Sequence, residues 1–413
     1  MPIKRDMFEE LVAHLPKKEI SLIVGSRQAG KTTLMLQLQD HLEKNGEGAL
    51  FLSLDLESDM PYFTTQTALL DRIRLEFGKK RGYVFIDEIQ RKENAGLFLK
   101  GLYDMQTPYK FIVSGSGSIE LKEKTHESLA GRKRMFELHT VSLKEFINYK
   151  TGYKYNDRLG EYFRVKKTEC LSLIMEYLNF GGYPRVILED TLHEKSKIIN
   201  EIYRSYIEKD IACLLRVERI DAFGNQIRLL AGQIGNMINL NELSSTLGIS
   251  VQTVKNYLAY AEKTFVVKRV TPYFKNIRKE ISKSPVPYFN DLGLRNFSAG
   301  QFGRYMAFSE MGFLFQNLVY RLLLEKIKDD GSTLHFWRTK DRAEVDFIID
   351  SGREVIPVEV KCKEMHEKAI ARPMRGFISK YNPKEAWVVN MGLRDEELVD
   401  QTKVKFVPVF DLI

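Results

Sequence analysis

The chain is poor in cysteine. Its three, Cys170, Cys213 and Cys362, lie too far apart to suggest a zinc-ligand pair or a disulfide framework. It also lacks any apolar run approaching the roughly 20 residues that cross a bilayer. The opening "MPIKRDMFEELVAHLPKK" has no apolar stretch of the kind that drives secretion. These absences lead us to expect a cytoplasmic protein without membrane contact. Acidic residues are in deficit: 55 Asp and Glu face 63 Lys and Arg, a net charge of +8 that admits a polyanionic partner without requiring one. At 44% hydrophobic and 29% charged, the composition is that of an ordinary globular protein. Its 413 residues exceed one hydrophobic core and suit about three domains.

The most specific feature is near the start. "ISLIVGSRQAGKTTLMLQLQDHL" opens with a short apolar run, Ile20 to Val24, suited to a buried parallel strand. Gly25, Gly30, Lys31 and Thr32 then fit G-x-x-x-x-G-K-[ST], and a leucine-rich helical stretch follows. In this strand–loop–helix context Gly25, Ser26, Arg27, Gln28, Ala29, Gly30, Lys31, Thr32 and Thr33 form a candidate phosphate cradle. Backbone N–H groups and the helix N-terminus would face the phosphates. Lys31 would reach the β- and γ-phosphates of ATP, and the Thr32 hydroxyl would bind Mg²⁺.

About sixty residues on, "GYVFIDEIQ" is an apolar strand ending in adjacent carboxylates. Asp87 is expected to hold Mg²⁺ and Glu88 to polarise the attacking water. A further strand, "YKFIVSGSGS", ends at Ser114, which reads either as a γ-phosphate sensor or as part of a serine–glycine turn. Arg132, in "SLAGRKRMFELHTVSLKEF", reads either as an arginine acting on a neighbouring copy of the chain or as part of a solvated basic loop.

"GSRQAGKTTL", "FIDEIQ", "VSGSGS" and "LAGRKRMFELHTVSLKEF" occur in the order seen in a group of prokaryotic AAA-type ATPases, which the chain resembles over nearly its whole length. These look like relatives of the archaeal ATPases and the STAND signalling NTPases. The resemblance implies a P-loop ATPase core, a helical and winged-helix middle, and a C-terminal nuclease-like domain.

The middle fits that outline. Residues 150–168 are polar and weakly patterned, as a connection would be. "LSLIMEYLNFGGYPRVILED" reads as a helix stopped by Gly181 and Gly182, and the resemblance marks the following Pro184 as lying in a helical lid. "NLNELSSTLGISVQTVKNYLAYAEKTFVVKRV" has helix-turn-helix spacing, with the turn at Gly248 and an N-cap at Ser250. Gln252, Thr253, Lys255 and Asn256 are the residues that would meet double-stranded DNA. Between 263 and 283 stand Lys263, Lys268, Arg269, Lys275, Arg278, Lys279 and Lys283 against the single acid Glu280, a pattern suited to phosphate contacts by a wing. A winged helix used only for protein packing is the alternative.

Near the end, "AEVDFIIDSGREVIPVEVKCK" places Glu344 and Asp346 on one strand and Glu359 and Lys361 on the next. Residues two apart on a strand share a face, so the two pairs would converge. The pattern resembles PD-(D/E)xK nucleases, in which Asp346 and Glu359 would bind a divalent metal and Lys361 would assist the attacking water. The preceding helix usually carries a glutamate in this ATPase family. Here "GFLFQNLV" puts Gln316 in that position, with Glu310 an imperfect substitute.

The expected fold is therefore α/β and multidomain. Residues 1–150 form a P-loop parallel sheet flanked by helices, 151–226 a helical lid, 227–300 a winged helix, and 301–413 an α/β nuclease-like domain. The expected function is Mg²⁺-dependent ATP binding and hydrolysis coupled to DNA or partner binding, with ATP/ADP as ligands and self-association left open. An ATP-gated DNA endonuclease and a STAND-like switch without DNA contact remain as alternatives.

Overall fold

Four short apolar strands and a more polar, half-exposed edge strand assemble into one parallel sheet. They are β1 (Ile20–Gly25), β2 (Ala49–Ser53), β3 (Gly82–Asp87), β4 (Tyr109–Ser116) and β5 (Lys133–Leu138), in the order β2-β3-β4-β1-β5. Strand residues alternate between two cores. Leu22, Val24, Val84 and Ile86 face helices α3 (Gln66–Phe77) and α4 (Ala95–Asp104) on one side. Ile23, Phe85 and Ile112 face α1 (Met7–His14) and α2 (Lys31–Lys44) on the other. The order puts the C-terminal end of β1 between β4 and β5, so the loop after β1 emerges at the ligand-binding edge of such sheets. The computed structural model describes residues 2–116, 129–207, 211, 219–274, 284–304 and 311–413. Cys213, Lys275, Arg278, Lys279, Glu280, Lys283 and Glu310 lie outside the described residues, so the basic segment of the expected wing is described only in part.

After the sheet come α5 (Leu143–Lys150), α6 (Leu159–Val165), α7 (Lys167–Phe180), the single turn α8 (Pro184–Ile187) and α9 (Leu192–Ser205). Helix α5 starts on a capping box formed by Ser142 and Glu145. The stretch 150–168, expected to be a loose connection, instead contains α6, which buries Tyr162 and Phe163. Two adjacent aromatics anchor a segment whose polar neighbours hide its helical period. Helix α10 (Ile220–Gly232) runs through the expected domain boundary at 226–227.

Helices α11 (Leu240–Leu247) and α12 (Val251–Lys263) follow, with Gly248 in the left-handed region at the turn and Ser250 capping α12. Strands β6 (Val267–Val270) and β7 (Val286–Phe289) pair antiparallel, and α13 (Leu292–Ser298) closes this part. One core runs from these elements into α14 (Gly312–Lys326), joining Phe146, Ile174, Phe223, Val254, Phe289 and Leu318. Burying a side chain the size of Phe223 stabilises by about 2–3 kcal/mol, so the helical middle and α14 hold each other in place. Every residue of α14 from Leu314 to Leu323 is buried, Gln316, Asn317 and Arg321 included. Asn317 explains part of this, because its side-chain amide both accepts from Phe289 N and donates to Phe289 O, each at 2.8 Å.

The last part is a mixed sheet of β8 (Thr333–Arg338), β9 (Glu344–Asp350), β10 (Val355–Val360), β11 (Glu385–Asn390), β12 (Asp395–Val399) and β13 (Thr402–Pro408), in the order β12-β13-β11-β10-β9-β8. Helix α15 (Arg372–Tyr381) crosses over between the parallel strands β10 and β11. It begins at Arg372, with Pro373 in its first turn. Among the described residues no helix is long and apolar enough to cross a membrane.

Candidate nucleotide site

The loop between β1 and α2 is held in a tight curl. A Cβ at Gly25 would overlap the Leu138 carbonyl, and Gly30 has φ +97° where the chain turns into α2. Gln28 also has a positive φ, of 58°. Lys31, only 6% exposed, folds back into the loop and donates to Gly25 O at 3.2 Å and Ser26 O at 2.9 Å. These carbonyls occupy the ammonium in the way that phosphate oxygens would. Arg27, Gln28, Gly30, Lys31, Thr32, Thr33 and Glu88 line a cavity of about 400 Å³, a size suited to a small-molecule ligand. Ser26 and Ala29 are buried beneath it.

Of the two strand-tip acids, Glu88 lines the cavity and Asp87 is buried outside its lining. Thr32 Oγ1 donates to Asp87 Oδ2 at 2.7 Å. The pair supplies hard oxygen donors at the expected place, and this donor set fits a magnesium ion. Glu88 has φ 57°, a conformation rare outside glycine, which turns its carboxylate away from the strand and into the cavity. Burial pushes its carboxyl above the ordinary range, while Lys31 and the Gln90 amide pull it back. A carboxylate of raised basicity beside a phosphate cradle suits proton abstraction.

Ser114 lies elsewhere than expected. Its hydroxyl donates to Asp87 Oδ1 and accepts from Glu88 N at 3.3 Å, fully buried and outside the cavity lining. It fixes both acids rather than facing a ligand. Arg132 is also placed away from the loop. Its carbonyl accepts from Ile20 N, at the opposite end of β1 from Gly25, and its guanidinium pairs with Asp104 at 2.7 Å.

Three residues that carry no motif in the sequence close the cavity. Arg185, just after Pro184, donates to Gln28 Oε1 at 3.1 Å and to Glu201 Oε2 at 3.1 Å. Pro2 and Ile3 form an apolar wall across from Pro184 and Leu188. The signal for Arg185 was its position beside the proline; Pro2 and Ile3 left none.

Residues 17–147 match the family model described as "AAA domain". The chain thus begins with an AAA-type P-loop domain, of the nucleotide-binding kind. Residues 171–304 match a "Domain of unknown function (DUF8612)", and 311–412 a "Domain of unknown function (DUF4143)". An uncharacterized protein of Methanocaldococcus jannaschii is 26% identical over 383 residues, covering 91% of this chain and 80% of that protein. One of Mycobacterium tuberculosis is 27% identical over 385 residues, covering 91% and 77%. Among solved structures, Cdc6p from Pyrobaculum aerophilum is 9% identical, covers 76% of this chain and 93% of its own, and has a TM-score of 0.29.

Beyond the AAA domain, the second acidic group has a different geometry. Gln316 Nε2 donates to Asp346 Oδ1 at 2.9 Å, and Val360 N donates to Asp346 Oδ2 at 2.7 Å. Asp346 keeps a little solvent access, yet its carboxyl is enclosed and pushed up to about 7, first by desolvation. Lys361 pairs with Glu359 Oε1 at 2.5 Å, while Glu359 Oε2 is buried without a hydrogen-bond partner. Glu344 is drawn off to Arg338 at 3.3 Å. Among the described residues no three His, Cys, Asp or Glu side chains gather to hold a metal. Both Asp346 oxygens accept from N–H donors, the Gln316 amide and the Val360 backbone. The structure thus places the uncharged Gln316 amide, not a third acid, against Asp346.

Proposed function

We propose that the AAA domain binds and hydrolyses ATP with magnesium. The observation that carries this is the linked set Thr32–Asp87–Ser114, with the Glu88 carboxylate beside it at the mouth of the Lys31 cavity. In this reading Lys31 leaves the loop carbonyls for the β- and γ-phosphates, and Thr32 and Asp87 hold the metal. Magnesium, when bound, neutralises charge on the phosphates. Glu88 accepts the proton of the attacking water on its carboxylate, and Ser114 keeps it aligned through its backbone N–H. Arg185 joins the loop to the helical middle, so closure over a nucleotide would be felt by α9. Glu88→Gln should retain ATP affinity and lose turnover by about 10²–10⁴-fold. Equal loss of binding and turnover would end the general-base assignment.

The same reading assigns 1–150 to ATP hydrolysis, 151–226 to a lid, 227–300 to a winged helix and 301–413 to a nuclease-like scaffold that does not cut. Exposed Gln252, Lys255 and Asn256 on α12 support DNA contact. The two alternatives predict different outcomes in one assay on duplex DNA with Mn²⁺. Metal-dependent nicking lost in Asp346→Ala would favour an ATP-gated nuclease. Affinity that does not respond to salt, or no affinity, would favour a signalling switch.

A further inference from the structure

We propose that Arg5 is a positioning residue for the phosphate loop: it holds the Ala29 carbonyl and thereby sets the direction of the amides that follow. The proposal rests on the nucleotide reading above and adds a residue from before the first strand to that site. Arg5 is 9% exposed, and its guanidinium is spent on three different elements. Nη1 donates to Ala29 O at 2.9 Å, Nη2 to His139 O at 2.6 Å, and Nε to Glu145 Oε2 at 3.0 Å. Glu145 is fixed in turn. Its Oε1 accepts from Asp6 N at 2.7 Å, and its Oε2 also accepts from Ser142 N at 2.9 Å within the α5 capping box. Arg5 Nε therefore donates to an acceptor that the cap of α5 and the Asp6 amide hold in place.

The peptide after Ala29 is planar and trans, so the Ala29 C=O and the Gly30 N–H point in opposite directions. Holding the carbonyl on the Arg5 side fixes that N–H on the other. A Cβ at Gly30 would lie 3.9 Å from Arg5 Nη1, which places the guanidinium against the loop at its sharpest turn. Lys31 holds Gly25 and Ser26 from within and Arg185 holds the Gln28 side chain, leaving Ala29 to Arg5. The guanidinium spreads its donors over three nitrogens and so spans three separated acceptors, whereas the three N–H bonds of an ammonium radiate from one nitrogen.

The test uses the full chain with Arg5→Lys, which keeps the charge, and Arg5→Ala. Lys144→Ala serves as the control, because it loosens the exposed Lys144–Asp6 pair without touching the loop. Arg5→Lys should fold, raise the KM and Kd for ATP roughly ten- to a hundredfold, and change kcat by less than about threefold. Hydrogen exchange of the amides at residues 25–33 should speed up by a similar factor without nucleotide, while those of β3 and α14 stay protected. A folded Arg5→Lys with parental KM and parental exchange over 25–33 overturns the proposal. If the parent binds no nucleotide, the nucleotide reading fails, and the exchange measurement still decides the role of Arg5. If Arg5→Ala does not fold, the Arg5→Lys measurements decide the question by themselves.

Discussion

Two pairs of carboxylates, one at the tip of β3 and one on β9 and β10, stand in surroundings that send them to different chemistry. Asp87 and Glu88 sit where a parallel sheet opens onto a cavity, with hydroxyls from Thr32 and Ser114 on Asp87 and an ammonium within the loop nearby. Asp346 and Glu359 sit on β9 and β10 under a fully packed helix, and the group facing Asp346 is the Gln316 amide. A hydroxyl on a carboxylate can give way to a metal and then serve as a ligand itself. An amide N–H on a carboxylate satisfies it and offers the metal nothing. Acidic residues on strands are therefore not sufficient for a cation site. The neighbouring donors decide.

The comparison can be broken at its strong end first. Lys31→Ala should remove ATP turnover by about 10³-fold or more, since the loop would lose its one ammonium aimed at the phosphates. A coupled assay for phosphate release checks this, and an unchanged rate would overturn the nucleotide reading. The weak end can be converted. Gln316→Glu places a carboxylate against Asp346 and should cost about 1–3 kcal/mol of stability without metal. Added Mn²⁺ should recover it, seen as a rise in Tm that the parent lacks. The same Mn²⁺ response in both proteins would show that the amide is not what keeps metal out.

The smallest effect is a pH dependence. Asp346 is held at about 7 in the folded protein against 3.8 for the free side chain. The folded state therefore binds the extra proton between those values, and stability should fall as pH rises from 4 to 7. Asp346→Asn should remove about 2 kcal/mol of the loss between pH 5 and 8. Denaturant melts across that range measure it, and an unaltered slope would show that Asp346 is not the group titrating.

Much of the first site was legible because its constraints are local. Gly25 and Gly30 are required by a close approach and a positive φ, Lys31 opens a helix, and Asp87 ends a buried strand. Each of these leaves a mark within a few residues. The Ser114 partner was not legible, since strand order alone brings β4 beside β3 and turns its hydroxyl onto Asp87. Arg5 and Arg185 were missed for the same reason. They reach the loop across 24 and 157 residues of chain, and although Pro184 marks the region of Arg185, no local pattern names the partner of either. In the C-terminal part, the sequence pointed to Gln316 as the residue in question. Only the packing showed what its amide does.

The sequence by itself determined the local units: a phosphate loop between a buried strand and a helix, two helices joined at Gly248, and acidic strands near the end. These follow from backbone sterics and hydrophobic period, which act over a few residues. The tertiary structure decided which polar groups meet. It sent Ser114 to Asp87, Arg5 to Ala29, Gln316 to Asp346 and Arg132 to Asp104. Burial makes an unpaired polar group costly, so each takes the partner that long-range packing brings within reach.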